Sequence, residues 1–281
     1  MIEEFNLKEL NNFIHLLKSA KDDISIESYI YIKNLLNRIE FILPLTIYSK
    51  GTTFIRTRVH TESQILFKTV NELSYIEDIL KITKFGRANE PGQSIFYCSD
   101  IELVSLAETN QIARQQKDKK VEYSTTGYWI STEDIVAVSL LTNENLRGKH
   151  SEIDNMSTDF EDMVKTQNDE KAQVVSELLQ FLSKEFSTLS EGNFNNYKIT
   201  TAFANYVYET VNNADGILYP STMFPNEGFN FAFKPAVVEN KMQFMYAHRT
   251  KLEKCGDKKY ELTEQIFSKV NKEKRDEIEW E

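Results

Sequence analysis

Four side chains stand out jointly in this chain, and the first of them, an arginine, is of a type and setting that suit holding a phosphate. Arg87 follows a glycine in the stretch FGRANEPGQSIFYCSD, residues 85–100. Tyr97 lies ten residues further on, where an apolar run ends, and Glu108 lies eleven residues beyond that. Ser221 closes the distant stretch GILYPS. A guanidinium presents a planar fork of donors that matches a phosphate. A tyrosine ring buries a flat apolar face while its hydroxyl keeps a polar partner. A single carboxylate stabilises positive charge that develops in a transition state. A serine hydroxyl donates to a ribose or phosphate oxygen. Each residue also has an ordinary alternative: a loop arginine, a core tyrosine, an exposed helix glutamate, and a serine of simple turn chemistry. The Asn-Glu-Pro-Gly turn beside Arg87 weighs against the first, because proline and glycine fix the backbone there.

The elements between these residues must bring them together. A turn, the strand SIFYCS and the start of the helix DIELVSLAETNQIAR fill the two intervals, so Arg87, Tyr97 and Glu108 are expected at one sheet edge. Asp100 is placed to cap that helix, with Leu103, Leu106 and Ala107 as its inner face. Upstream, TTFIRTRVH alternates as a strand does, and its register puts Arg56 and Arg58 on one face with Ile55 on the other. Two arginines on one face are costly if buried without an anion, so they join the candidate ligand-binding set; a solvated or salt-bridged edge is the alternative.

Residues 3–40 carry two helical stripes, through Phe5, Leu10, Phe13, Leu16 and Leu17 and then through Tyr29, Ile32, Leu35, Leu36 and Ile39. YSTTGYWI and EDIVAVSLL read as strands, residues 143–170 as an acidic surface insertion, and 171–189 as an amphipathic helix. FNFAFKPAVV and KMQFMYAHR read as edge strands, and the charged tail after residue 250 as helical or loosely docked.

The chain has 281 residues, a net charge of −10 and only two cysteines. That balance argues against general binding of nucleic acid or anionic membrane. Two thiols make no disulfide framework, and the four histidines form no cluster, so no metal is expected. The N-terminus lacks the basic-then-apolar order of a signal peptide, and the longest apolar run, FILPLTIY, is too short to span a bilayer. A cytoplasmic location is expected.

FGRANEPGQSIFYCSDIELVSLAE resembles the signature of the RES-domain toxins. That family has a Gly-Arg, a Pro-Gly turn, a strand ending in tyrosine and an Ala-Glu within the next helix, in this order. DGILYPS, Asp215 to Ser221, matches a later block, and FIRTRV looks like the opening strand. The resemblance covers roughly residues 50–250 and leaves out the N-terminal helices. It implies an α+β fold similar to that of ADP-ribosyltransferases: a split mixed β-sheet core with flanking helices, here with an N-terminal helical extension. The expected division is 1–50 for that extension, 51–250 for the catalytic domain and 251–281 for the tail. The resemblance implies a toxin that consumes NAD by hydrolysis or phosphorolysis of the nicotinamide–ribose bond and arrests growth. It also implies an inhibitory antitoxin partner, and the extra helices leave a homodimer open. A protein ADP-ribosyltransferase, or a non-catalytic protein that binds NAD or ADP-ribose, are the alternatives.

The leaving pyridinium departs neutral, so this reaction needs no general acid, unlike ordinary glycoside cleavage with its two carboxylates. Glu108 is then the candidate that stabilises the ribose cation, with Arg87 on the pyrophosphate or the ribose edge and Tyr97 stacked on nicotinamide. Arg56, Arg58 and Ser221 complete the NAD-binding set.

Overall fold

A computed structural model describes residues 5–60, 66–110, 112, 120–141, 162, 164, 166, 169–189, 193–224, 228–256, 259–270 and 276–281. In chain order the helices and strands are α1 (Leu7–Asp22), α2 (Ile26–Leu36), β1 (Leu45–Tyr48), β2 (Thr53–His60), α3 (Val70–Leu73), β3 (Phe96–Ser99), α4 (Glu102–Thr109), β4 (Val121–Ser131), β5 (Ile135–Ser139), α5 (Asp169–Ser187), α6 (Lys198–Thr210), β6 (Gly216–Pro220), β7 (Phe229–Phe233), α7 (Pro235–Lys241), β8 (Met242–Gly256), β9 (Lys259–Val270) and β10 (Ile278–Trp280). The fold is α+β. The chain forms two compact units, each assembled from three separate segments.

The first unit comprises Met1–Ile47, Asp78–Gln93 and Val136–Thr222. Its helix α1 begins with a reciprocal cap: Asn6 Oδ1 accepts from Glu9 N at 3.0 Å, and Glu9 Oε2 accepts from Asn6 N at 2.9 Å. Leu10, Phe13 and Leu17 form its buried stripe, and Tyr29, Ile32, Leu35 and Leu36 that of α2, at the helical spacing expected from the sequence. α1 packs on α2 and α5, and α2 on α6. The segments expected as an N-terminal extension therefore share a core with residues 169–210. Lys198, at the start of α6, is fully buried and closes the α1–α2 corner. Its ammonium donates to Asp23 O at 2.5 Å, Ser25 O at 2.7 Å and Ser28 Oγ at 2.8 Å. β5 and β6 run parallel, with Ala137 opposite Gly216 and Ser139 opposite Leu218, and α5 and α6 pack on β6. The acidic insertion expected over 143–170 lies largely outside the described residues.

The second unit comprises Tyr48–Glu77, Ser94–Ile135 and Met223–Glu281. Its strands pair antiparallel in the order β7-β3-β2-β4-β8-β9-β10. Phe54, Phe96, Trp129, Phe231 and Phe233 interlock edge-to-face or stacked at centroid distances of 5.1–5.3 Å, which makes one sheet face an aromatic core. The other face carries α4. Among the described residues the charged tail forms β9, paired onto β8, and β10, paired onto β9, where a helix or a loosely docked segment was expected. Its Glu, Lys and Gln content favours helix, but cross-strand pairing with β8 overrides that weak local preference.

Candidate active site

The second unit places the tyrosine and the glutamate on one sheet face. Opposed residues of an antiparallel pair share a face, and neighbours along a strand alternate. Ser99 stands opposite both Ile55 and Asn230, and Tyr97 stands opposite Ala232. Tyr97, Ser99 and Asn230 therefore project from the same face, and α4 lies over it. Glu108, near the C-terminal end of α4, is half-buried there. Its Oε1 accepts from Asn230 Nδ2 at 3.0 Å and from Met223 N at 3.4 Å. Asn230 Oδ1 in turn accepts from Ser99 Oγ at 2.6 Å. A chain of hydrogen bonds, Ser99 to Asn230 to Glu108, thus fixes the carboxylate from below. Tyr97 is half-buried beside this chain, so both it and the glutamate stay accessible.

Two local features let α4 lie this close. A Cβ on Gly228 would come within 2.5 Å of Val104 Cγ2, so only glycine allows the start of β7 to pass under the helix. Asp100 does not cap α4, contrary to the expectation from the sequence: the N-cap is Ile101, without a side-chain bond. Asp100 Oδ1 instead accepts from Phe229 N at 2.9 Å, which ties the β3–α4 corner to β7. The inner face of α4 is Val104, Ser105, Leu106 and Ala107, while Leu103 is exposed.

The first turn of α4 carries a second polar cluster. Tyr128 donates to Glu102 Oε2 at 2.6 Å, and His248 Nε2 lies 2.9 Å from Glu102 Oε1. Tyr246 stacks on Tyr128 at 4.4 Å. These partners, His248 first and then Tyr128, hold the Glu102 carboxyl below the usual glutamate range against the opposing effect of burial. α4 is thereby anchored at both ends, over β4 and β8 through Glu102 and over β7 through Glu108.

Arg56 and Arg58 do not join this face. They stand opposite Gly127 and Thr125 of β4, so they project with Phe54 and Phe96. Arg56 Nε donates to Leu73 O at 3.0 Å and its Nη1 to Tyr97 O at 2.6 Å, while its guanidinium lies 5.3 Å from the Phe96 ring. Arg58 donates to Glu72 O and stacks 5.7 Å above Phe67. Two cations thus satisfy the last carbonyls of α3. Burial, and then the neighbouring Arg58, lower the Arg56 pKa to about 10. Among the described residues no carboxylate lies within ion-pair distance of Arg56. His60, on the same side, accepts or donates at 2.5 Å with Thr125 Oγ1, and burial followed by Arg249 and Arg58 lowers its pKa to about 4.

Arg87 and Ser221 belong to the first unit. Arg87 is 8% exposed; its Nη1 donates to Phe186 O and to Thr188 O, the latter at 3.2 Å. Its guanidinium lies between the rings of Tyr197 and Tyr219, at 5.1 and 5.7 Å. Among the described residues no carboxylate pairs with it. The turn expected from Asn-Glu-Pro-Gly is present. Gly92 takes a φ of +79°, a conformation that favours glycine, and Gly86 N donates to Asn89 O at 2.9 Å. Ser221 is fully buried directly after β6. Among the described residues no group of three or more His, Cys, Asp or Glu is spaced to hold a metal ion, and no helix is long and apolar enough to cross a membrane.

Asn230, Glu102 and His248 are singled out by no motif of the sequence. For Asn230 a signal existed: a single amide inside the otherwise apolar run FNFAF has to find a buried partner. Glu102 and His248 are 146 positions apart and meet only through the antiparallel pairing of β4 with β8.

The polar chain under α4 defines a site built around one oriented carboxylate. The RES domain family model matches residues 71–252, well over half of the chain. The protein belongs to the RES-domain family, whose domain is associated with NAD-acting, toxin-like enzymes. No curated protein and no solved structure matches the chain.

Proposed function

We propose that this protein is a toxin-like enzyme that cleaves the nicotinamide–ribose bond of NAD, by hydrolysis or phosphorolysis, and so depletes the cofactor and arrests growth. The observation that carries the reading is the half-buried Glu108 carboxylate, held at 3.0 Å by Asn230 on the same face as Tyr97. As the bond breaks, positive charge moves onto the ribose, and a carboxylate already oriented by a fixed amide stabilises it without reorganisation. The nicotinamide leaves neutral, which agrees with an assignment that needs one carboxylate and no acid. Tyr97 offers a ring face for the nicotinamide. Arg87 is assigned the pyrophosphate or the ribose edge and Ser221 a ligand phosphate or ribose, and the buried Arg87 guanidinium without a carboxylate among the described residues supports an anionic ligand there. Arg56 and Arg58 are employed on the carbonyls of α3, so their part in the proposal is to tie α3 to β2. The ADP-ribosyltransferase-like fold, a cytoplasmic location and an inhibitory partner belong to the same proposal.

Chromatography of the products formed from NAD, with and without phosphate, tests it. Free nicotinamide with ADP-ribose indicates water as acceptor, and nicotinamide with ADP-ribose 1″-phosphate indicates phosphate. Labelled ADP-ribose carried mainly on a protein would replace this reading with the transferase one, and intact NAD at high enzyme concentration would refute cleavage altogether.

A further inference from the structure

The N-terminal helices lie outside the matched residues 71–252, yet one of them reaches directly into the loop that carries Arg87. Tyr29, on the inner face of α2, is 4% exposed. Its ring packs on Phe85 at 4.7 Å, two residues before Arg87. Its hydroxyl donates to Glu90 Oε2 at 2.8 Å, three residues after Arg87. The same hydroxyl accepts from Asn205 Nδ2 of α6 at 3.0 Å. Asn205 Oδ1 accepts from Gln93 Nε2 at 2.6 Å, and Gln93 Oε1 accepts from Glu90 N at 2.9 Å. The four residues close a ring of hydrogen bonds, Tyr29–Glu90–Gln93–Asn205, with the loop on one side and two helices on the other. Thr201 Oγ1 of α6 donates to Gly86 O at 2.7 Å and fixes the loop at its other end.

We infer that Tyr29 is a positioning residue: through Glu90 it sets the 85–93 loop, and hence the Arg87 guanidinium, for an anionic ligand, so that the N-terminal helices tune substrate affinity. The inference rests on the proposed role of Arg87. The loop is tethered at both ends by these bonds, and Phe85 seats it on the Tyr29 ring, so its shape depends on groups that α2 and α6 supply. Closed hydrogen-bond rings lose more than one bond's worth when a member is removed, because each group polarises the next. Tyr29→Phe keeps the ring on Phe85 and removes only the hydroxyl, which makes the substitution selective.

The test combines kinetics with amide exchange on the full chain. With NAD as substrate, Tyr29→Phe is expected to raise KM about 3- to 10-fold with kcat within about twofold, the pattern of lost uniform binding. In a Glu90→Ala background the same substitution is expected to change KM by less than about twofold, because the partner is already gone. The amides of Gly86, Gly92 and Gln93, which donate to Asn89 O, Ile82 O and Glu90 O, are expected to lose exchange protection in Tyr29→Phe. Leu17→Ala, a core change in α1 with no bond to the loop, is the control for general destabilisation and is expected to leave KM within twofold. Unchanged protection of the three amides in Tyr29→Phe overturns the inference, whether or not NAD is cleaved. Equal KM effects from Leu17→Ala and Tyr29→Phe overturn it as well. If the wild type leaves NAD intact, the proposed function falls while the exchange experiment still decides the positioning.

Discussion

Replacing Asn230 with alanine removes two hydrogen bonds at once from the floor beneath Glu108. The amide is 5% exposed, donates to Glu108 Oε1 at 3.0 Å and accepts from Ser99 Oγ at 2.6 Å. A buried partner left unsatisfied costs about 1–3 kcal/mol. For a chain of this size each kcal/mol lowers the melting temperature by roughly 2–4 °C, so a drop of about 2–12 °C is expected. The kinetic effect is separate. Glu108 keeps its charge but loses the donor that orients it, and a misplacement on the order of 1 Å costs about 10²-fold in rate. Nicotinamide release from NAD is therefore expected to fall by roughly that factor well below the melting temperature. Asn230→Asp sharpens the test. It sets a second carboxylate beside the first, the two share a proton, and one carboxyl pKa rises. The acid limb of the rate profile is expected to move to higher pH by about 1–2 units. A folded Asn230→Ala enzyme with kcat/KM within twofold of the wild type, or an Asn230→Asp profile that does not move, would refute the reasoning.

Other perturbations probe the frame around the site. Lys198→Met leaves two carbonyls and a hydroxyl without their shared donor in the α1–α2 corner, and is expected to cost about 2–3 kcal/mol of stability in denaturant unfolding. Gly228→Ala drives a methyl into Val104 beneath α4, and is expected to destabilise by about 1–3 kcal/mol and to slow turnover through Glu108, read by calorimetry and nicotinamide release. The lowered pKa of His60, about 4, means that the folded chain keeps this ring neutral while the unfolded chain takes up a proton. Its contribution to stability is complete above roughly pH 6.5 and is lost as pH falls toward the folded value, so His60→Gln is expected to flatten the stability profile over that window.

The parts of the molecule that local periodicity governs were legible in the chain. The stripes through Leu10, Phe13 and Leu17, and through Tyr29, Ile32 and Leu35, mark α1 and α2 because burial of one helix face repeats every 3.6 residues. The strand that carries Tyr97 and the helix that carries Glu108 followed from an apolar run, helical spacing and turn chemistry in the same way. Strand register was not legible in full. Alternation placed Arg56 and Arg58 together, but only the pairing of Ile55 with Ser99 reveals that they face away from the glutamate. Asp100 looked like a helix cap because caps are read locally, whereas its carboxylate is taken by Phe229, 129 residues away. The tail's local composition points to helix for the same reason. The paired β8 and β9 expose apolar residues such as Leu262, 51% exposed, and Phe267, 46% exposed, so burial does not announce the strand there.

Glu108→Gln tests the central claim most directly, since it keeps the shape of the side chain and removes the charge. The account predicts that the variant still binds NAD by isothermal titration, with affinity close to that of the wild type, and that its nicotinamide release falls by about 10²–10³-fold. Undiminished release by the folded variant would contradict it.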